Sequence, residues 1–502
     1  MQVNVQAGAI QEVSSDLVVV NLFQGVDQPG GAAGAVDSAL GGSLRELIAI
    51  GDFKGNAEEM ALLYSRGAIP AKRVLVVGLG KPEDFTLDVV RRVSAVVARK
   101  ARELGVTHYH SIVHGAGTAG LDPAEAAQAV VEGTLLGSYR FDIHKARPEN
   151  PEPELEALTL VQLDEASLPA IQAGVRVGQV VAESVTMVRD LVNQPCNFCT
   201  PTLLAEAAEQ IAAEAGLAFE VLGEREMADL GMGALLGVAQ GSNEPAQFII
   251  LEHNRDRSDL PTYVIVGKGI TFDAGGLSIK STGGMQGMKL DMAGAAAVIG
   301  VLHAIGKLDL PLHVVGLAPA TENLPGGRAY RPGDVLKSMS GTTIEVITTD
   351  AEGRLILADA LNYAARYKPQ AVVDIATLTG GSVVALGHVA AGLMGNDAEL
   401  MQTIKVASEQ TNEKVWELPF FKEYEEQIES SIADVKNSGG GDASAITAGL
   451  FLRKFTDYPW AHVDMPGMMA SEGTSGYTVN GATGFGTRLL IQWLRDRANQ
   501  AS

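Results

Sequence analysis

Cysteine is scarce in this chain: only two of its 502 residues are cysteines, and they stand close together as Cys196-Asn-Phe-Cys199. No second cysteine pair is present to complete a zinc site of four thiolates. The spacing also suits a thioredoxin-like redox pair, but the flanking Pro195 and Pro201 do not suit a helix that starts directly after a strand. We therefore interpret the two residues as ordinary reduced thiols in a loop.

Positive charge is also in deficit. The chain has 38 lysines and arginines against 60 aspartates and glutamates, which gives a formal net charge of −22. Such a field repels phosphate backbones, so the composition disfavours general nucleic-acid binding. The same field would raise the local concentration of metal cations and free amines.

Secretory and membrane-spanning segments are not recognisable in the sequence. The N-terminus, Met1-Gln-Val-Asn-Val-Gln6, has no basic region followed by an apolar one. The most apolar stretch, residues 293–305, is too short and too rich in glycine to cross a bilayer. With 46% hydrophobic and 20% charged residues, the composition is that of a globular protein. We expect a cytoplasmic protein without membrane association.

The length of the chain predicts two domains, because 502 residues exceed the size of one ordinary core. Residues 148–154 are acidic and proline-rich, as in a linker, but a strand-like run follows at once and needs a neighbouring sheet. We therefore place the boundary later, in a helix. The predicted division is an N-terminal α/β domain at 1–167, a linking helix at 168–190 and a larger C-terminal catalytic domain at 191–502.

Short apolar runs alternate with helical periodicity in both halves. This alternation predicts an α/β fold in which each domain has a mixed or mainly parallel sheet flanked by helices. The predicted strands are 17–22, 73–78, 158–163, 247–251, 262–266, 313–317, 343–347 and 371–375. The main predicted helices are 87–104, 124–136, 293–305 and 355–367.

Two glycine-rich segments carry most of the chemistry. The first is Val266-Gly-Lys-Gly-Ile-Thr-Phe-Asp-Ala-Gly-Gly-Leu-Ser-Ile-Lys280, with Asp291 shortly after it, and the second is Thr349-Asp-Ala-Glu-Gly-Arg-Leu355. Both follow predicted strands, where parallel sheets place their active sites. Together they hold four carboxylates, two lysines and one arginine, without histidine or cysteine. Closely packed carboxylates repel one another, so a pair of hard divalent cations such as Mn²⁺, Mg²⁺ or Zn²⁺ is the natural partner.

Each of these residues also has an ordinary structural interpretation. An aspartate before glycines usually forms a turn, and acids near a helix start usually cap it. The basic residues would be loop charges, surface charges or ion-pair partners. Their joint occurrence at the strand ends of one predicted sheet favours a two-metal site that activates water for attack on a carbonyl or phosphoryl group. Lys280 and Arg354 are then the candidates for stabilising the developing oxyanion.

Three segments resemble the signatures of the leucyl aminopeptidases, peptidase family M17, and most closely those of the bacterial cytosolic aminopeptidase A type. They are Gly267-Lys-Gly-Ile-Thr-Phe-Asp-Ala-Gly-Gly276, Met288-Lys-Leu-Asp-Met292 and Thr349-Asp-Ala-Glu-Gly-Arg-Leu355. The resemblance covers the C-terminal domain, whereas the N-terminal domain matches in layout only. It implies a homohexamer that releases N-terminal amino acids from peptides, leucine preferred within a broad range, in intracellular protein and peptide turnover.

The resemblance also implies a set of metal ligands. Asp273 and Glu352 would bridge two metal ions, Lys268 and Asp291 would complete the tighter site, and Asp350 would complete the more exchangeable one. Mn²⁺ is the expected metal in a bacterial member, and Zn²⁺ is an alternative. A lysine that binds a metal must be neutral, which desolvation and two dications would favour.

The remaining implied roles concern the substrate. Lys280 would polarise the scissile carbonyl, and Arg354 would hold a bicarbonate ion that acts as general base, since an anion is favoured beside an arginine at a helix N-terminus. Met288, Thr377 and Gly380 would line the pocket for the first side chain. The free α-amine of the peptide would bind a metal, which would explain why the enzyme removes residues only from the N-terminus.

One departure and two other functions stay open. The family usually has asparagine two residues before the metal-binding aspartate, where this chain has Thr348; this bears on substrate preference rather than on activity. A two-metal phosphoesterase would use a similar oxygen-rich site. Some bacterial members of the family also bind DNA, which the net charge of −22 disfavours here.

Overall fold

A computed structural model describes residues 1–116, 120–146, 149 and 152–501 of the chain. The chain forms two compact units. The first comprises Met1–Glu183 and Glu472–Asn480, and the second Ser184–Ser471 and Gly481–Ser502. Of the linker-like stretch 148–154, residues 148, 150 and 151 lie outside the described residues. The division falls inside one helix, Leu168–Asn193, where the sequence predicts a linking helix.

The N-terminal unit is built on a six-stranded sheet in the order β1-β6-β5-β2-β4-β3. All neighbouring strands are parallel except the edge strand β3, which is antiparallel to β4. The strands are β1 Gln2–Ala7, β2 Val18–Leu22, β3 Met60–Tyr64, β4 Arg73–Gly78, β5 His108–Ile112 and β6 Ala157–Gln162. The helices are α1 Gly31–Ala39, α2 Ser43–Ile50, α3 Leu87–Glu103, α4 Pro123–Gly137 and the first part of α5 Leu168–Asn193, up to Glu183.

A short segment from the C-terminal part of the sequence, Glu472–Asn480, belongs to this N-terminal unit. It lies against α3: Arg99 Nη1 donates to the Gly476 carbonyl at 2.6 Å, and the Tyr477 hydroxyl donates to Asp88 Oδ1 at 2.7 Å. No pattern in the sequence predicts this excursion, because its contacts depend on residues almost 400 positions away.

The second unit contains fourteen named strands and ten further helices among its described residues. The strands are β7 Ala218–Leu222, β8 Gln247–His253, β9 Thr262–Gly267, β10 Gly269–Asp273, β11 His313–Asn323, β12 Val335–Lys337, β13 Thr343–Glu345, β14 Ala371–Ala376, β15 Ala391–Gly395, β16 Val415–Glu417, β17 Val435–Lys436, β18 Trp460–Asp464, β19 Ala470–Ser471 and β20 Gly481–Ala482. The helices are α6 Pro201–Ala215, α7 Glu224–Asp229, α8 Gly233–Ala239, α9 Thr282–Met285, α10 Ala293–Leu308, α11 Gly353–Ala364, α12 Gly380–Leu386, α13 Ala398–Thr411, α14 Ser444–Arg453 and α15 Thr487–Ala501.

The central sheet of this unit has nine strands in the order β16-β15-β18-β14-β9-β11-β8-β7, with β10 paired to β11. Strands β18, β14, β9 and β11 are parallel, and β10 is parallel to β11. Antiparallel pairs join β15, β8 and β7 to this parallel centre. The predicted two-domain α/β fold with mixed sheets and a larger C-terminal domain is confirmed. Its parallel centre places five carboxyl ends at one edge.

One predicted strand is wrong in its placement. Residues 343–347 do not enter the central sheet: only Thr343–Glu345 form a strand, and it belongs to a separate three-stranded sheet with β12 and β17. The run alternates between buried Ile344 and Val346 and less buried neighbours. Such alternation suits a half-exposed strand, whereas central parallel strands are buried on both faces. The turn after it therefore reaches the site through side-chain contacts rather than through a central strand.

The most apolar helix is longer than the stretch 293–305 suggested. A 3₁₀ helix at Met288–Met292 runs directly into α10, and the combined segment Met288–Leu308 is 21 residues long and apolar enough to cross a membrane by composition. However, 83% of its most apolar window is buried inside the unit. It is a buried core helix, and its initial 3₁₀ turn carries Asp291 to the edge of the central sheet.

Candidate metal centre

The candidate residues meet at the carboxyl edge of the central sheet. Lys268 directly follows β9, Asp273 ends β10, and Thr377 directly follows β14. Asp291 reaches them from the 3₁₀ helix before α10, and Glu352 lies immediately before α11. The strand-end positions follow from parallel pairing. The structure thus brings residues separated by more than 100 positions into one cluster.

Lys268 lies at the centre of this cluster and is only 3% exposed. Its Nζ is 2.8 Å from Asp291 Oδ1, 2.9 Å from Glu352 Oε1 and 2.9 Å from the carbonyl oxygen of Thr377, to which it donates. Burial acts to lower the pKa of Lys268, but Asp291, Glu352 and Asp273 outweigh it and hold the pKa above its usual range. In the absence of metal, the amine is therefore a buried ammonium ion that pairs with Asp291 and Glu352.

Lys280 forms a second ion-pair centre. Its Nζ lies 2.8 Å from Asp273 Oδ2 and also pairs with Asp350 Oδ1. Burial and the nearby Glu352 raise the pKa of Asp273 to about 6, although both lysines act in the opposite direction. The side chain of Lys280 is 18% exposed, so solvent reaches the cluster from this side.

The turn at 348–352 is fixed by side chains from distant parts of the chain. Asn323 Nδ2 donates to Asp273 Oδ1 at 2.8 Å and to the Thr349 carbonyl at 2.9 Å, and the Tyr330 hydroxyl donates to the same carbonyl at 2.8 Å. Thr348 Oγ1 accepts a hydrogen bond from the Asp350 amide at 3.2 Å. These contacts hold Asp350 and Glu352 beside Asp273.

The donor set fits divalent metal ions. Carboxylate oxygens of Asp273, Asp350 and Glu352 lie within 4.8 Å of one another, which is close enough to share one cation or two. Asp291 Oδ2 is buried and lies 2.8 Å from Lys268 Nζ in an ion pair, without a well-aligned hydrogen bond from any described residue. Four carboxylates face only two lysines, so the cluster has an excess of negative charge.

The protonation of the cluster supports the same conclusion. Burial raises the pKa of Asp291 to about 8, helped by Glu352 and Asp273 and opposed by Lys268. Burial acts in the same sense on Glu352, but Lys268 and Lys280 outweigh it and lower its pKa. Protons therefore reside on Asp291 at pH 7, and on Asp273 only below about pH 6, rather than on Glu352. A bound dication would replace them, since it favours every carboxylate in its ionised form.

Arg354 lies in the first turn of α11 and is 6% exposed. Its Nη1 donates to the Asn437 carbonyl at 2.8 Å, while its buried Nε has no hydrogen-bond partner among the described residues. Burial lowers its pKa to about 10, and Glu352 and Asp464 partly offset that effect. The arginine remains charged at neutral pH, and together with the helix N-terminus it favours a small anion.

Among the acids, the ordinary structural interpretation holds for Asp273 only. Asp273 does form a turn, since its Oδ1 accepts from the Gly275 amide at 2.8 Å. Glu352 occupies the N-cap position of α11, but its side chain makes no capping hydrogen bond. Met292, at the N-cap position of α10, makes no such bond either. Lys268 is buried rather than solvated. The acids of the second segment therefore are not helix caps.

The three predicted substrate-pocket residues lie around this edge. Thr377 Oγ1 donates to Asp291 Oδ1 at 2.6 Å, which places it beside a candidate ligand. Met288 is half-buried at the start of the 3₁₀ helix that carries Asp291, and Gly380 is the first residue of α12. Their substrate contacts stay a prediction.

Several supporting residues were not singled out from the sequence. Asn323, Tyr330 and Asn437 hold the turn and Arg354, and Asp464 holds the turn after β14 by accepting from the Leu378 and Thr379 amides at 3.0 and 3.2 Å. Asn323 and Asp464 end strands β11 and β18. The rule that chemistry gathers at the carboxyl ends of parallel strands could have identified these two.

Comparison with protein families gives two matches. The catalytic domain of the cytosol aminopeptidase family matches residues 186–491, and the N-terminal domain of the same family matches residues 19–148. A probable cytosol aminopeptidase of Roseiflexus castenholzii is 46% identical over 500 residues, covering 99% of each chain. Another of Geotalea uraniireducens is 48% identical over 467 residues, covering 92% of each chain.

Solved structures agree with these matches. The bottromycin maturation enzyme BotP in complex with Mn is 34% identical, with a TM-score of 0.85 over 96% of this chain and 100% of that one. A mutant of tomato leucine aminopeptidase is 31% identical, with a TM-score of 0.87 over 98% of this chain and 96% of that one. Both domains and the full length are matched, so this chain belongs to the cytosol aminopeptidase family of peptidases.

Proposed function

We propose that this protein is a metal-dependent aminopeptidase that releases N-terminal amino acids from peptides, with leucine preferred within a broad range. Family membership supports aminopeptidase activity. The observation that supports metal dependence is the group of carboxylate oxygens of Asp273, Asp350 and Glu352 within 4.8 Å of one another. Asp273 and Glu352 are buried and Asp350 is exposed, and acids at this density favour countercharge beyond the two lysines of the cluster.

In this proposal two divalent ions are held by Lys268, Asp273, Asp291, Asp350 and Glu352. Mn²⁺ is the metal we expect, because all but one of the ligands are hard oxygen donors and a Mn complex occurs among the similar structures. Zn²⁺ would fit the same donors. When bound, such ions attract the free α-amine of a peptide, polarise its first carbonyl and activate water.

The residues of the chain supply orientation and charge. Lys280 holds a proton at Nζ at the solvent-accessible side of the cluster, where it would stabilise the negative oxygen that develops on the scissile carbonyl. Arg354 would hold a bicarbonate ion, which would take a proton from the attacking water. Met288, Thr377 and Gly380 would line the pocket for the first side chain of the peptide.

Thr348 bears on substrate preference in this proposal. Its hydroxyl accepts from the Asp350 amide at 3.2 Å, and its carbonyl accepts from Asn437 Nδ2 at 2.7 Å. The shorter threonine side chain thus serves the turn, whereas the longer asparagine usual in the family would reach further. We propose that this changes substrate preference rather than activity.

The wider role we propose is cytoplasmic peptide turnover by a homohexamer, on the strength of the family resemblance. Light scattering of the purified protein measures the assembly. A mass of six chains is expected, and a monomer would contradict it.

The reaction class is tested with Asp350→Ala and Glu352→Ala. Both variants should lose hydrolysis of leucyl 4-nitroanilide while circular dichroism stays unchanged, because each removes an oxygen ligand from the cluster. Full activity in either metal-loaded variant would overturn the proposal. Parallel assays with 4-nitrophenyl phosphate separate the phosphoesterase alternative, for which the wild type should show no metal-dependent turnover.

A further inference from the structure

A cavity lies on one face of the β10–β11 pair, and the metal centre lies on the opposite face. Asp273 and Asn323 are register partners that face the carboxylate cluster, where they hydrogen-bond at 2.8 Å. Phe272 and Glu322 are the preceding register partners. Successive strand residues point to opposite faces, so these two side chains face away from the metal centre and into the cavity.

The cavity has a volume of about 620 Å³, within the range of ~300–1,000 Å³ usual for small-molecule sites. Its walls come from the turn before α6, the loop after α8, the β10–β11 pair and the segment between α9 and the 3₁₀ helix. The residues that matter for its chemistry are Cys196, Glu244, Phe272, Met285, Lys289 and Glu322.

Two opposite charges line this cavity without neutralising each other. Lys289 Nζ donates to the Asn193 carbonyl, and it forms no ion pair with any described residue. Glu322 is 9% exposed, and its Oε2 accepts from the Ser242 hydroxyl at 2.5 Å, again without an ion-pair partner in the described part of the chain. A nearly buried carboxylate without a cation is costly, and it is therefore a strong attractor for one.

The groups around Glu322 strengthen its attraction for a cation. Burial raises the pKa of Glu322, the Ser242 bond opposes that effect, and the neighbouring carboxylate of Glu244 adds to it. Both acids thus lie at the same wall, where an ammonium group would relieve their repulsion. Phe272 and Met285 supply apolar surface to the same cavity.

We propose that this cavity binds a free α-amino acid with an apolar side chain, its ammonium group at Glu322, its carboxylate at Lys289 and its side chain against Phe272 and Met285. Such a ligand carries an ammonium and a carboxylate group on the same carbon atom together with an apolar side chain, and the lining offers a partner for each of the three. That the amino acid is a product of this enzyme rests on the proposed function. The binding itself does not.

Isothermal titration of the chelator-treated, full-length protein tests the proposal, since this treatment removes the metals that would bind a free amine at the catalytic site. L-Leucine should bind the wild type and should bind Glu322→Gln and Lys289→Met roughly tenfold or more weakly. Lys422→Met and Glu423→Gln remove the same charges from exposed positions and should bind leucine normally. Absence of leucine binding to the wild type, or equal binding by all variants, would overturn the proposal.

Two analogues assign each charge to its partner. Leucinol has no carboxylate, so Lys289→Met should bind it as well as the wild type does. 4-Methylpentanoate has no ammonium group, so Glu322→Gln should bind it as well as the wild type does. Equal losses for leucine and both analogues in each variant would mean that the substitutions disturb the fold rather than the contacts, and would contradict the assigned orientation.

A measurement without substitutions covers the case in which a variant fails to fold. Cys196 lines the cavity and is partly exposed, whereas Cys199 is buried at 5% exposure and serves as internal reference. Leucine should slow alkylation of Cys196 by N-ethylmaleimide, located by peptide mass. An unchanged rate at saturating leucine would place the amino acid elsewhere and overturn the proposal. Loss of peptide hydrolysis in the metal-loaded enzyme would instead bear on the proposed function alone.

Discussion

Lys268 and Gly353 fit together without room for one methyl group: a Cβ at position 353 would lie 2.5 Å from Lys268 Cε. Gly353 begins α11, immediately after Glu352, so the start of this helix packs directly on the lysine stem. The glycine therefore fixes where the amine lies between Asp291 and Glu352. Glycine is needed at this position because a larger side chain would not fit beside Lys268 at the centre of the site.

Substitution Gly353→Ala should displace the Lys268 amine from Glu352. Overpacking of this kind costs about 1–3 kcal/mol of stability, and we expect loss of metal affinity and of peptide hydrolysis with it. Thermal unfolding and titration with Mn²⁺ measure both effects. Gly327→Ala is the matched control, because a Cβ at position 327 meets no atom within 4 Å. Normal Mn²⁺ affinity in Gly353→Ala would contradict the assigned position of Lys268.

Metal binding should release protons at pH 7. Burial raises the pKa of Asp291 to about 8, and the pKa of Lys268 also lies above its usual range because Asp291, Glu352 and Asp273 outweigh its burial. Both groups hold protons in the metal-free protein at this pH, and cation binding favours their deprotonated forms. Affinity should therefore rise with pH up to about 8, after which the Asp291 contribution ends.

Calorimetry of Mn²⁺ binding in two buffers of different ionisation enthalpy measures this release. The apparent binding enthalpy should differ between the buffers at pH 7, and the difference should be smaller at pH 9. Identical enthalpies in both buffers at pH 7 would show that neither group carries a proton that the metal displaces.

Lys280→Ala should lower kcat more than it raises KM. The amine contacts Asp273 and Asp350 at the accessible side of the cluster, where charge would develop on the substrate oxygen. Loss of one such donor reduces kcat by roughly 10²–10³-fold. Steady-state kinetics with leucyl 4-nitroanilide separates the two parameters. A variant with unchanged kcat and raised KM would assign Lys280 to ground-state binding only.

Asp359 lies in the middle of α11 and joins it to α8 and to the turn at Met339. Its carboxylate accepts from the amides of Ala234 and Leu235 at 3.0 and 2.9 Å and from the amide of Met339 at 2.8 Å. Asp359→Ala leaves three amides unpaired, two of them buried and that of Met339 part-buried. A buried unpaired amide costs about 1–3 kcal/mol, so the free energy of unfolding should fall by about 3 kcal/mol or more.

Urea unfolding measures this loss, with Asp397→Ala as control. Asp397 is a part-buried N-cap that accepts from one amide, that of Leu400 at 2.7 Å, and its removal should cost about 1 kcal/mol. Similar losses in the two variants would mean that Asp359 does not hold α8 and the Met339 turn together.

Local sequence predicts much of this fold because its central strands are short, fully buried apolar runs. The runs 262–266 and 371–375 correspond to β9 and β14 within one residue at each end. Strand β10 escaped prediction, since Gly269–Asp273 is short and polar at its end. The run 343–347 was misplaced because alternation was not distinguished from continuous burial.

The site was predictable only in part for the same physical reason. Asp273 and Lys268 stand beside recognisable strand ends, whereas Asn437 contacts Arg354 across 83 positions of sequence and Asn323 contacts Asp273 across 50. Nothing in the local sequence marks such partners. The cavity behind Phe272 and the excursion Glu472–Asn480 likewise depend on tertiary packing alone.

Metal reconstitution of the purified protein tests the central claim most directly. Chelator-treated enzyme should not hydrolyse leucyl 4-nitroanilide, and addition of Mn²⁺ should restore hydrolysis in the wild type but not in Glu352→Ala. Comparison with other aminoacyl 4-nitroanilides and with Zn²⁺ gives the specificity and the preferred metal. Full hydrolysis by the metal-free wild type, or restoration in Glu352→Ala, would contradict a metal-dependent aminopeptidase at this cluster.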